Sequence, residues 1–237
     1  MENWQDNQLH QLMSEKEEQA IFNAVFNLAV QIGFTYASFS ITTLLGSHQT
    51  NSTSFNNYPS EWNRCYQRNN YQTIDPLLFH CHRSVFPILW SPEVFQSAPT
   101  LWRDMQDHGL RQGCSQSVHD VRGIVSTLSL ARHSVPITTD EFYSKAGQVL
   151  WLCNWLHSAL ADKLLPAPRS DNCYPLSPRE AEIMKWTAEG KTASEIADIL
   201  HLTTRTVGFH MSTIMRKFGV NNKASAVLCA AKSGLLF

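Results

Sequence analysis

The stretch that decides the reading is Leu176-SPREAEIMKWTAE-Gly190-KTASEIADIL-His201-LTTRTVGF-His210-MSTIMRKF-Gly219-VNNKASAVLCAAKSGLL-Phe237. Ser177 stands three residues ahead of Glu180. Its hydroxyl can accept the Glu180 N–H while the Glu180 carboxylate reaches back to the Ser177 N–H, a capping box with Pro178 at the first helical position. Ala181, Met184 and Ala188, with Ile183 and Trp186 flanking, recur at helical spacing until Gly190 stops the helix. Thr192 and Glu195 repeat the box and open a second helix, Ala193 to Leu200, with Ile196, Ile199 and Leu200 on its apolar side. A turn at His201–Thr203 leads to a third helix from Thr204 to Phe218, and a fourth runs from Lys223 to about Leu235 after Asn221-Asn222. Two short helices joined by a tight turn, the second flanked by Arg205, Arg216 and Lys217, have the pattern of a helix-turn-helix that enters the DNA major groove.

The charge distribution agrees. From Leu176 onward there are 8 Lys+Arg against 5 Asp+Glu, a balance of +3, while the first 175 residues carry −4 of the net −1. A mildly basic end on an otherwise acidic chain suits phosphate contact by that end alone.

Upstream of this unit, the Pro-rich polar segment 166–175 reads as a linker. The domains expected are therefore 1–165, a linker over 166–175, and 176–237. The 165 residues of the first domain read as an α/β/α sandwich. From Glu15 to Gly33 the residues Ile21, Val25, Leu28, Ala29 and Ile32 follow a helical period, and Tyr36–Thr43 is β-branched and aromatic enough for a strand. The Ser-, Thr- and Asn-rich stretch 46–57 reads as a surface loop. Thr100–His108 is helical, Gly113–His119 and Gly123–Ala131 are adjacent strands turning at Asp120–Arg122, and Thr138–Glu141 opens a long helix to about Leu164. Along that helix Trp151 and Trp155 form a stripe that suits either the core or a subunit interface. The fold class is α+β.

The most informative part of the first half begins at Tyr58-Pro59. Tyr58, Trp62 and Tyr66 stand four apart, so a helix from Pro59 stacks their rings along one face. Asp75 is placed to cap the next helix, with Pro76 at its first position. Two readings are open: an aromatic core stripe beside a helix cap, or a pocket on which these side chains converge. In the second, a buried Asp needs donors, and Trp and Tyr polar hydrogens need acceptors. A small neutral ligand with an amide N–H and two carbonyls supplies both, its apolar tail lying on core residues.

Other classes fit poorly. Cys, His and Asp are present, but no nucleophile–base motif, phosphate loop or metal spacing accompanies them, so the chain does not read as an enzyme and needs no cofactor. His80-Cys81-His82 is adjacent rather than helically spaced and does not make a metal site. The longest apolar run, near Val149–Leu156, is too short for a membrane span, and the first residues lack a secretory pattern. Six cysteines without a C-x-x-C pair read as reduced thiols in a cytoplasm.

The C-terminal run, in particular Leu176–Glu180, Trp186–Thr192, Glu195–Ala197, Thr206-Val207, Phe209-His210, Lys217 and Asn222-Lys223, resembles the DNA-binding domain of LuxR-type transcription factors. The first half carries the ligand-domain pattern of the same family in Tyr58-Pro59-x-x-Trp62-x-x-x-Tyr66, Tyr71, Asp75-Pro76, Trp90-Ser91, His108–Arg111 with Gly113, and Leu128–Arg132. The resemblance implies a quorum-sensing regulator that binds an N-acyl-homoserine lactone autoinducer and, as a homodimer, a pseudo-palindromic promoter site in double-stranded DNA. RNA polymerase is a further candidate partner. By the same analogy Trp62 donates to the lactone carbonyl and Asp75 accepts from the amide N–H. Tyr66 and Ser129 serve the amide carbonyl, Trp90 packs beside the ring, and Gly113 leaves room for the chain segment behind; Tyr58 and Tyr71 complete the set. Thr204, Arg205, Thr206, Phe209, His210, Ser212, Thr213, Arg216 and Lys217 are the DNA-binding candidates.

Three positions depart from the family pattern. Ser117 stands where Pro is usual, close to the pocket, and keeps open a regulator answering to another small molecule or to none. Met184 replaces a commoner Leu, a volume-conserving exchange. Gly208 stands where a polar side chain usually faces the groove. Base contacts are therefore expected from Arg205, Thr206, Ser212 and Thr213, with Arg216 and Lys217 on phosphates. Lys217→Ala is expected to weaken binding to all sequences alike.

Overall fold

In the computed structural model, residues 17–43, 52–164 and 176–236 are described. The linker expected at 166–175 and the start of the 46–57 segment lie outside them. The chain splits near residue 165 into two compact units.

The first unit is built on five antiparallel strands: β1 (Tyr36–Thr43), β2 (Ser52–Asn56), β3 (Ile88–Leu89), β4 (Gln112–His119) and β5 (Ile124–Arg132), in the order β2-β1-β5-β4-β3. Two helices, α1 (Glu18–Gln31) and α5 (Thr139–Leu164), cover one face. There Phe22, Val25, Phe39, Leu128, Leu130, Leu152 and Leu156 form a core with almost no exposed surface. Each such side chain contributes about 1.5–3 kcal/mol by leaving water. The other face carries α2 (Ser60–Arg68), α3 (Pro76–Cys81) and α4 (Pro99–Asp107), with a second cluster around Trp62, Tyr71, Trp90, Leu101 and Leu110. Helices on both faces make this the expected α/β/α sandwich.

Strand pleating divides the side chains between those clusters. Ala37, Phe39 and Ile41 of β1, and Leu128 and Leu130 of β5, point to α1 and α5. The alternate positions, Ser38 and Ser40 of β1, Ser129 and Thr127 of β5, and Ser115 and Ser117 of β4, belong to the other face and sit opposite one another in register. That face of the sheet is lined with hydroxyls.

The stretch 46–57 is not all loop: Ser52–Asn56 pairs with β1 from Ser38↔Asn56 to Thr42↔Ser52. It is an edge strand, which tolerates polar residues on its open side. Its inward Phe55 stacks on Phe22 at 6.0 Å between centroids. The two-residue β3 was too short to show a period.

The second unit holds α6 (Pro178–Ala188), α7 (Ala193–Leu200), α8 (Thr204–Phe218) and α9 (Lys223–Lys232). Both capping boxes are formed, Ser177 with Glu180 and Thr192 with Glu195. Thr203 caps α8 and Asn222 caps α9. Helix α9 ends at Lys232 rather than near Leu235, because Gly234 takes a left-handed conformation, φ +68°, just beyond the last turn. Ile183, Met184, Ile196, Val207, Met211, Ile214, Ala226 and Ala230 form the core of the unit. Met184 is fully buried.

Candidate ligand pocket and nucleic-acid interface

The pocket candidates arise from short elements. Pro59 starts α2 and sets Trp62 and Tyr66 one turn apart, their rings 5.6 Å apart edge to face. A 3-10 turn at Tyr71–Thr73 brings Tyr71 back onto both, at 6.4 Å from Trp62 and 5.9 Å from Tyr66. Asp75 then caps α3: its Oδ1 accepts the Leu77 N–H at 2.9 Å, and its Oδ2 accepts the Tyr66 hydroxyl at 2.8 Å. Asp75 is 8% exposed. Burial pushes its carboxyl above the usual range despite those two bonds. The same burial, with the Asp75 charge beside them, pushes the Tyr58 and Tyr66 phenols up.

From the sheet side come Trp90, Gly113 and Ser129. The Trp90 backbone N–H donates to Gly113 O at 2.8 Å. Its indole lies where a Gly113 Cβ would be. Gly113 thus makes room for the Trp90 indole. The Trp90 Nε1–H donates to Ser115 Oγ at 2.9 Å, and Ser115 Oγ lies 2.7 Å from Ser129 Oγ. All eight pocket candidates are thereby joined. Tyr58, Trp62, Tyr66, Tyr71 and Trp90 share one cluster. Asp75 enters through Tyr66, Gly113 through Trp90, and Ser129 through Ser115.

One implied role is altered by this geometry. Tyr66 spends its single hydrogen on Asp75, so its oxygen is left only as an acceptor and cannot donate to a carbonyl. Four residues to which the sequence assigned no site role also lie against these candidates, His108 among them only as part of the quoted pattern. Asp104 accepts the Tyr71 hydroxyl at 2.5 Å, and burial together with that bond pushes the phenol up to about 12. His108 packs on Trp62 at 5.7 Å. Ser38 bonds Tyr58. Ser115 links Trp90 to Ser129. The available signal was alternation: Gly113, Ser115 and Ser117 share one face of an anticipated strand. Ser117 donates to Ser84 O at 2.5 Å and so pins the segment after α3 to β4. A Pro at 117 could not make that bond.

Trp62 is 4% exposed, yet its Nε1–H has no acceptor among the described residues. An unpaired buried donor is costly and calls for a partner. A small cleft lined by Phe34, Cys114, Ile137 and Phe142, with Glu141 and Lys145, engages none of the eight candidates. Among the described residues no group of three or more His, Cys, Asp or Glu could hold a metal, and no helix is long and apolar enough to cross a membrane.

In the second unit, α8 presents Thr204, Arg205, Gly208, Phe209, Ser212 and Arg216 outward, and Phe209 is 69% exposed. His210 and Thr213 are half-buried. Thr206 Oγ1 is bound to Thr203 Oγ1 within the helix cap, and Ser212 Oγ donates to Gly208 O of its own helix. Arg205, Phe209 and Arg216 are thus the outward groups with reach. Lys217 is a correction. Its ammonium lies 2.6 Å from Glu180 Oε2, and the pair is 19% and 5% exposed. It ties the end of α8 to the start of α6 instead of facing a phosphate. Lysine spacing alone could not distinguish the two roles, because Glu180 lies 37 residues away in sequence.

A sandwich with a buried aromatic and carboxylate cluster, followed by a capped helix-turn-helix, defines a ligand-responsive DNA-binding regulator. Residues 17–160 match the autoinducer binding domain, and residues 174–230 match the bacterial regulatory proteins of the luxR family. The chain belongs to this family of transcriptional regulators. It is 34% identical to the transcriptional activator protein AnoR of Acinetobacter nosocomialis over the whole of both chains. It is 30% identical to the HTH-type quorum-sensing regulator RhlR of Pseudomonas aeruginosa, over 98% of this chain and 96% of that one. The crystal structure of Escherichia coli SdiA superposes with a TM-score of 0.75 at 29% identity, covering 98% of this chain and 97% of SdiA. SdiA has also been solved in complex with octanoyl-rac-glycerol.

Proposed function

We propose that the chain is a cytoplasmic quorum-sensing regulator whose first domain, 1–165, binds an N-acyl-homoserine lactone between the sheet and α2–α4. The linker 166–175 joins it to the DNA-binding domain, 176–237. The observation that carries the ligand reading is the buried Trp62 N–H without an acceptor, set in the same cluster as a buried carboxylate. Trp62 then donates to the lactone carbonyl, Asp75 accepts the amide N–H on its remaining lone pairs, and Ser129 donates to the amide carbonyl. Trp90 and Tyr71 wall the site, and Tyr58 closes its β1 side.

Ligand binding favours a homodimer that places two α8 helices on a pseudo-palindromic promoter site, where RNA polymerase is the next partner. Tyr143, Leu150 and the half-buried Trp151 and Trp155 on α5, with Ala224, Val227, Leu228 and Ala231 on α9, offer apolar surface for that contact. Arg205, Phe209 and Arg216 meet the DNA, supported by Thr204, Thr206, His210, Ser212 and Thr213. The activity is recognition, with no catalytic step or cofactor.

A second reading is a different acyl ligand. It draws on the octanoyl-rac-glycerol seen with SdiA and on the hydroxyl-lined sheet, which suits an acylglycerol as well as an amide. Thermal unfolding of the full-length protein against acyl-homoserine lactones and monoacylglycerols separates the two. At about 100 times its dissociation constant, a ligand stabilises the native state by roughly 2.7 kcal/mol. A lactone shift that disappears in Asp75→Asn supports the first reading. A shift with acylglycerol alone supports the second.

A further inference from the structure

The geometry points to Ser115 as a positioning residue for ligand recognition, one that sets the direction of a hydrogen-bond chain from Trp90 through Ser115 to Ser129, so that Ser129 must present a hydrogen to the ligand. This rests on the reading of the pocket as a site for an acyl ligand with an amide carbonyl.

The direction follows from what each group can do. An indole N–H only donates, while a serine hydroxyl has one hydrogen and two lone pairs. Trp90 donates to Ser115 Oγ at 2.9 Å, so Ser115 is an acceptor there. Ser115 is fully buried. Were it also to accept from Ser129, its own hydrogen would have no acceptor among the described residues, which a buried hydroxyl does not tolerate cheaply. The arrangement that leaves nothing unpaired has Ser115 donating to Ser129 Oγ across 2.7 Å. The Ser129 hydrogen is then released from the sheet.

The chain is also held rigidly at its source. Trp90 is fixed by its backbone bond to Gly113 O, and its indole occupies the space that Gly113 leaves by having no Cβ. The adjoining row of hydroxyls does not compete, since Ser117 is committed to Ser84 O. Ser129 thereby keeps its hydrogen free to donate. The pocket at this point favours a ligand carbonyl, although Ser115 itself need never touch the ligand.

The test is a double-mutant cycle on the full-length protein. The probe is whichever of N-butanoyl-, N-octanoyl- and N-dodecanoyl-homoserine lactone the wild type binds best, with affinity read by calorimetry. Ser115→Thr keeps the hydroxyl, and Ser115→Val has the same shape without it. With Ser129 intact, the valine variant should bind about tenfold more weakly than the threonine variant, the order expected for one hydrogen bond. In a Ser129→Ala background that ratio should fall to about one, because the effect runs through Ser129. An equal ratio in both backgrounds overturns the relay and makes Ser115 a structural group. Should Ser115→Val not fold, Trp90→Phe removes the fixed donor at the other end. Its loss must likewise vanish with Ser129→Ala, and a loss that persists overturns the relay. If the wild type binds no lactone, the lactone reading fails and the relay with it. Binding by the wild type with additive losses rejects the relay alone.

Discussion

The Lys217 ammonium and the Glu180 carboxylate meet at 2.6 Å, on the same Oε2 that accepts the Ser177 backbone N–H at 2.6 Å. One oxygen thus closes a helix cap and joins two helices that are distant in sequence. Burial raises the Glu180 carboxyl, but the bonds from Lys217 and Ser177 outweigh it and hold the group below its usual range. Lys217→Ala leaves a buried carboxylate short of its cation. The variant should lose about 1–3 kcal/mol of stability in the DNA-binding domain. Operator binding at a temperature where the variant is folded should keep the wild-type salt slope. A flattened slope would return Lys217 to the phosphates.

Gly208 lies on the outer face of α8, and a Cβ built there meets nothing within 4 Å. Packing does not require glycine at this position. Gly208→Ala should therefore stabilise the domain by roughly 1 kcal/mol, since glycine is the costlier residue inside a helix. Calorimetric unfolding checks the gain. No gain, or a loss, would mean that the helix is not regular at 208.

Gly113→Ala has the opposite sign. The added methyl would enter the Trp90 indole, and overpacking of this kind costs about 1–3 kcal/mol. Displacing Trp90 also breaks the bond to Ser115, so the ligand-induced rise in melting temperature should shrink along with basal stability. An unchanged ligand response would separate Trp90 from the site.

Glu141 accepts from the two terminal Arg132 nitrogens, at 2.8 and 2.6 Å, and from the Lys145 ammonium at 2.5 Å. The Arg132 bonds, working against burial and joined by Lys145, hold its carboxyl at about 2. An unfolded glutamate titrates near about 4.3. A depressed folded pKa means that the stabilisation is complete above the unfolded value and is lost as pH falls through the folded one. The stability gap between wild type and Glu141→Gln should thus be flat above about pH 5 and should close between roughly pH 4.3 and 2. Thermal unfolding across that range is the measurement. A gap that does not vary with pH would remove the ion pairs from the account.

The elements that could be read in advance are those whose signal is local. Ser177/Glu180 and Thr192/Glu195 announced two helices through partners three residues apart, and both boxes are formed. Asp75-Pro76 announced the start of α3 in the same way. Elements whose signal lies elsewhere in the chain carry a local pattern that points the wrong way. Ser52–Asn56 has loop composition and becomes a strand because β1 offers an edge to pair with. Lys217 has the look of a phosphate ligand and turns inward because Glu180 is waiting 37 residues away.

The sequence by itself determined the helix caps, the periods of the strands and long helices, the family, and the residue types of the buried aromatic and carboxylate cluster. These depend on neighbours within a few residues, or on motifs that survive as spacing. Only the tertiary structure decided what each polar atom is left to do. Tyr66 gives its hydrogen to Asp75, Trp90 gives its own to Ser115, and Trp62 keeps one unspent. A donor has one hydrogen to give, and which acceptor lies within about 3 Å of it is settled by strand register and helix packing, which no local spacing encodes.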